Sequence, residues 1–83
     1  MSESPIPLHR LPLGCCGRIF QINIGGAARR RMLDLGLTCS TEVAALQQSP
    51  SGDPTAYFIR GAVIALRSQD ASRILVTPLT GER

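Results

Sequence analysis

Apolar positions along this 83-residue chain fall mostly in short alternating runs rather than long stripes. Five such runs, each of strand length, are separated by glycine, proline, serine and aspartate. In residues 17–24, GRIFQINI, Phe20, Ile22 and Ile24 share one face and Ile19 falls on the other, so this strand is expected to be bulged or covered on both sides. Residues 41–47, TEVAALQ, alternate Val43 and Ala45 against Glu42 and Ala44. The proline, glycine and Asp-Pro of QSPSGDPT then force a reversal, so residues 55–60, TAYFIR, return beside the second strand. Phe20 and Phe58 read as core, leaving Tyr57 as the outward aromatic. Gly61 alone separates this run from 62–66, AVIAL, which predicts either a very tight hairpin or one strand kinked at the glycine. SQDA reads as a 3₁₀ turn before the last strand, 73–76. The segments before Leu8 and after Val76 read as loosely held tails.

One segment has helical spacing. Ala28, Met32 and Leu35 fall at i, i+4 and i+7, with Leu33 alongside, and this edge is expected to plug the core. Gly36 supplies a left-handed stop and Leu37 can fold back on the last turn. Arg29, Arg30 and Arg31 lie on the same helix. Successive helical residues are about 100° apart, so the three fan across roughly 200° and at most two can face one target. Arg30 stands four residues before Asp34, a spacing that allows a weak ion pair. A solvated face and an arginine-lined partner site centred on Leu33 both fit. Five strands, a helix after the first and a 3₁₀ turn before the last predict a mainly β, five-stranded SH3-like barrel, a single domain over 1–83 with its core at about 8–77. An OB-fold would place its helix later in the strand order.

Composition narrows the function. With 43% hydrophobic and 18% charged residues the chain reads as globular. The net charge is +3, and all the cations are arginine, a weak pointer to nucleic acid. Residues 62–66, the longest unbroken apolar stretch, fall far short of the roughly 20 residues of a membrane span, so no direct membrane insertion is expected. The start of the chain lacks the pattern of a secretory signal. Three cysteines cannot close a disulfide framework, and the cytoplasm is the expected compartment. The one histidine, His9, offers no oriented triad to Cys15 or Cys16, and Gly25-Gly26 lacks the lysine of a phosphate-binding loop, so no enzyme is expected. His9, Cys15 and Cys16 are weak candidates for zinc or ferrous iron, held within one chain or bridging a homodimer. Neighbouring cysteines on a strand point to opposite faces, so half-buried thiols are the plainer reading and no cofactor is required. With Tyr57 as the one outward aromatic, no nucleic acid partner is expected.

LPLG at 11–14, RRRMLDLGL at 29–37, PSGDP at 50–54 and IRGAVIALRSQDASRILV at 59–76, in this order and spacing, resemble the ferrous iron transport protein A family. The resemblance implies an SH3-like barrel in the bacterial cytoplasm, a small accessory to ferrous iron transport protein B. That partner is a membrane transporter with a cytosolic guanine-nucleotide domain, which would recruit the chain to the inner face of the cell membrane. A related domain ends the metal-dependent repressors. The partner-binding residues are then expected to be Arg29, Arg30, Arg31, Leu33 and Tyr57. The class-distinct alternative is a stand-alone metal-binding or nucleic-acid-binding SH3-like barrel. Cys39-Ser40 stands where the family often has Pro-Gly, which disfavours a type II turn there. Cys15 and Cys16 inherit no role.

Overall fold

The computed structural model describes residues 4–79, so the outermost parts of both expected tails lie outside the described residues. Six strands form one antiparallel sheet: β1 (Ile6–Pro7), β2 (Cys16–Ile22), β3 (Glu42–Gln48), β4 (Thr55–Ile59), β5 (Ala62–Leu66) and β6 (Ile74–Leu79). The order is β1-β6-β2-β3-β4-β5, so β1 and β5 are its two edges and the sheet does not close. A helix, α1 (Gly26–Asp34), follows β2, and one helical turn, α2 (Ser68–Ala71), precedes β6.

Two expectations about the ends are corrected here. The segment read as an amino-terminal tail supplies a sixth strand, because Ile6 and Pro7 pair with Val76 and Leu75. It then makes the 3₁₀ turn Leu8–Arg10 and drives Leu8 and Leu11 into the core. At the other end β6 runs on to Leu79, pairing with Cys16 of β2. The SQDA turn is α-helical rather than 3₁₀: the amides of Ala71 and Ser72 donate to the carbonyls of Arg67 and Ser68, four residues back.

Each strand turns a short apolar series inward: Ile19 and Ile22, Val43 and Ala45, Tyr57 and Ile59, Ile74 and Val76, with Leu66 from β5. The alternation expected for β3 is present, and the bulge expected in β2 lies between Ile19 and Gln21. It reverses the expected place of Phe20. The extra residue is the one turned out, 54% exposed, while Ile19 and Ile22 share the buried face across it. A second bulge, between Ala45 and Gln47, turns Leu46 outward in the same way. On β4 the inward set is Tyr57 and Ile59, so Phe58 faces out, at 44%, and Tyr57 is 1% exposed. The phase follows from the partners: Tyr57 stands opposite Ala45 and Ile59 opposite Val43, both already inward.

The tight-hairpin reading of Gly61 holds. Ile59 pairs with Ala62 across Arg60-Gly61, whose φ angles are 50° and 86°, the two left-handed residues of a type I′ turn. At the turn after α1, Thr41 donates its amide to the carbonyl of Thr38 and Ser40 takes φ 73°. The left-handed position of that turn is therefore kept although serine occupies it.

Candidate interaction surface

Helix α1 ends as its sequence predicts. Gly36 adopts φ 100°, its amide donates to Leu33 O, and Leu37 N donates to Met32 O, the paired bonds of a Schellman cap. Met32 and Leu37 are both buried, the apolar contact that accompanies this cap. A Cβ at Gly36 would stand 2.8 Å from Cδ of Arg60, so the arginine of the β4–β5 turn lies across the helix end. The start of α1 is weaker: Gly25 makes no side-chain cap and no acidic residue lies in the first turn.

The expected plug is corrected in part. Of Ala28, Met32 and Leu35 only Met32 is buried; Ala28 is exposed and Leu35 is 38% exposed. Nine residues make two and a half turns, and this helix meets the core only near its carboxyl end. Leu8, Leu11 and Ala71 join Met32 in the core cluster.

The three arginines divide as their angular spread requires. Arg29 Nη1 donates to the carbonyl of Ile22 at 2.8 Å and ties the helix to the end of β2. Arg30 and Arg31 are exposed. Among the described residues the one ion pair is Arg67 with Asp53, at 3.9 Å, so Arg30 and Asp34 do not pair. Leu33, 40% exposed, lies on the Arg29–Arg30 side of the helix, and Arg31 lies on the side that faces β5. Tyr57 does not join them. It lies in the core, 1% exposed, its hydroxyl 3.5 Å from the carbonyl of Leu8. Burial pushes its pKa above the usual value near 10, reinforced by the charge of Asp53 and opposed by a hydrogen bond with the Thr55 side chain.

The outer face of the sheet carries Phe58, a residue expected in the core. Cys16, Ala44, Phe58 and Val63 follow one another in register across β2, β3, β4 and β5. A groove of about 360 Å³ lies along part of this row, with Glu42 and Arg60 at its border. The missed signal was Ile59: once that residue is inward, Phe58 beside it must be outward. His9, Cys15 and Cys16 are not gathered; among the described residues no group of three or more His, Cys, Asp or Glu side chains could hold a metal ion. Nor is any helix among them long and apolar enough to cross a membrane.

A small antiparallel sheet wrapped on one core, with an arginine-bearing helix between its first long strands, is an SH3-like binding-module architecture. The FeoA domain matches residues 6–78, and the chain belongs to that family. The FeoA protein of Chlorobium tepidum is 29% identical, with a TM-score of 0.87 over 94% of this chain and 74% of that one. The Stenotrophomonas maltophilia FeoA, described as an SH3 domain protein complexed with zinc, is 27% identical, with a TM-score of 0.74 over 83% of this chain and 86% of that one. A manganese-dependent transcriptional repressor, 19% identical, shares the fold with a TM-score of 0.81 over 95% of this chain and 44% of its own. No curated relative matches the sequence at a significant level.

Proposed function

We propose that this chain is a non-enzymatic accessory of bacterial ferrous iron uptake that docks on the cytosolic guanine-nucleotide part of a ferrous iron transporter. It would act in the cytoplasm, at the inner face of the membrane to which that partner recruits it. The observation that carries the reading is the family match over residues 6–78, whose solved members include a ferrous iron transport protein. The docking face is the outer side of α1: Arg30 as an exposed cation, Leu33 beside it as the apolar anchor, and Arg29 as the brace that fixes the helix on the sheet, while Arg31 points round to the opposite side of the helix. An exposed apolar side chain flanked by arginine suits the centre of an interface. A protein working this way changes its partner by binding one of its conformations better than another.

The test is co-purification from membranes that hold the transporter, against membranes that lack it. Arg30→Glu is expected to cut recovery while leaving the melting temperature unchanged, because the side chain is exposed and has no acidic partner among the described residues. Recovery equal to wild type would remove this face from the reading. GTP turnover by the transporter's soluble part, measured with and without the chain, shows separately whether docking changes hydrolysis.

A further inference from the structure

A second groove, of about 620 Å³, lies on the other side of α1, between that helix and the free edge of β5. Its helix wall is formed by the exposed Ala28 and Leu35 together with the rim of the buried Met32. Its other wall takes in Val63 through Leu66, residues of both faces of β5, so the groove follows the strand's edge rather than lying over one face. We infer that this groove receives a single extended peptide segment, apolar at alternate positions and carrying a carboxylate, which adds to the sheet as a seventh strand beside β5.

The backbone specifies a strand. In a two-residue hairpin the closing residues, here Ile59 and Ala62, are a hydrogen-bonded pair, and such pairs alternate along the ladder. Ala62, Ile64 and Leu66 therefore bond to β4, and the amides and carbonyls of Val63 and Ala65 point out of the sheet. The other edge, β1, is two residues long and contains Pro7, a protected edge. β5 has five residues, AVIAL, with no charge, proline or bulge to blunt it. Val63, at 64% exposed, is the most open of the large apolar side chains.

The helix specifies that the strand comes alone. A second copy pairing through its own β5 would bring β4 of that copy behind it, into the space α1 occupies. A free segment brings nothing behind it and can set its side chains against Met32 and Leu35, the arrangement of peptides that bind by strand addition. The charges select its chemistry. Arg31 and Arg67 line the groove beside one carboxylate, Asp70; Arg67 is paired with Asp53, and Arg31, which has no acidic partner among the described residues, is the cation left to receive a carboxylate.

The probe is a short acetylated peptide that alternates valine and threonine and ends in glutamate, added to the intact isotope-labelled protein. Binding is expected to shift the amide resonances of Val63 and Ala65 and to slow their hydrogen exchange. Ala65→Pro removes an amide that faces the groove and not the ladder, so it should abolish binding while circular dichroism stays that of wild type. Should that variant unfold, charge exchange still decides: Arg31→Glu is expected to weaken the glutamate peptide by up to about fivefold and to favour a lysine-ended one. No amide shift at about millimolar peptide, or Arg31→Glu binding both peptides as wild type does, overturns the inference. So would concentration-dependent dimerisation that protects Val63 and Ala65 without any peptide. No arm involves the transporter, so this result stands apart from that of the docking test.

Discussion

Tyr57 shows how much one hydroxyl can govern. Its ring fills the core, and its pKa lies above the ordinary value because burial disfavours the phenolate. Below about pH 10 the tyrosine is neutral in both folded and unfolded chains and its full contribution is present. Above that, the unfolded chain releases the proton while the folded one keeps it, so stability falls as pH rises towards the folded pKa. Tyr57→Phe is expected to cost about 1 kcal/mol at neutral pH, from the lost bond to Leu8, and to flatten the alkaline loss. Melting temperatures across about pH 8 to 11 for both proteins check this; a parallel fall in the variant would assign the alkaline loss elsewhere. Ser40 carries a different strain. At φ 73° its Cβ is unfavourably placed, and Ser40→Gly should stabilise the protein by up to about 1 kcal/mol, read as a higher denaturation midpoint. The serine argued against this turn at the level of sequence, yet the turn is kept, because the Ser40 amide bonds to Ile19 O at 2.7 Å and the Ile19 amide to Thr41 O at 2.9 Å.

At the scale of elements, α1 is set by its exit more than by its faces. Gly36 and Leu37 announced the Schellman cap, and the cap is there; the stripe announced a buried face, and one side chain of it is buried. Periodicity tells which residues share a side of a helix but not how far that side reaches the core. Met32 is thus the helix's main apolar anchor, helped by Arg29 on Ile22 O. Met32→Ala is expected to cost about 2–3 kcal/mol, with amide exchange rising first in 26–34 and only later in the sheet. Uniform exchange across the protein would mean that helix and sheet open as one unit. The same limit explains β4, where TAYFIR has an apolar residue in either phase and only the cross-strand neighbours choose between Tyr57 and Phe58. The exposed arginines were legible because three cations in a row on a short helix must leave some free; the outer row through Phe58 was not, since it exists only once four strands are in register.

For the whole molecule, the decisive piece is the segment that looked most dispensable. Ile6 and Pro7 pair with β6, Leu8 and Leu11 are buried, and the Leu8 carbonyl accepts the Tyr57 hydroxyl, so both ends of the described chain meet at one seam of the sheet. Nothing in PIPLHRLP has strand or helix periodicity, and its three prolines suggested a loose lead-in; the pairing that orders it comes from β6, about 70 residues away in sequence. Leu8→Ala is expected to cost about 2–5 kcal/mol, more than truncating any exposed leucine such as Leu13 or Leu46. Denaturant midpoints of the three variants give the comparison.

The extruded Phe20 has a consequence for chain length. Because a strand alternates every residue, dropping one position ordinarily inverts all that follows it, but here the surplus residue is the one already outside the ladder. A chain shortened by Phe20 alone would still present Ile19 and Ile22 to the interior, with the irregularity healed into continuous pairing against β6. Such a shortened protein should fold, whereas loss of Gln21 would leave Phe20 to take an outward place in the repaired ladder with the same result, and loss of Ile19 should not be tolerated. The kink thus serves as a spare link, the one place in β2 where the strand can be trimmed without turning its surface inside out.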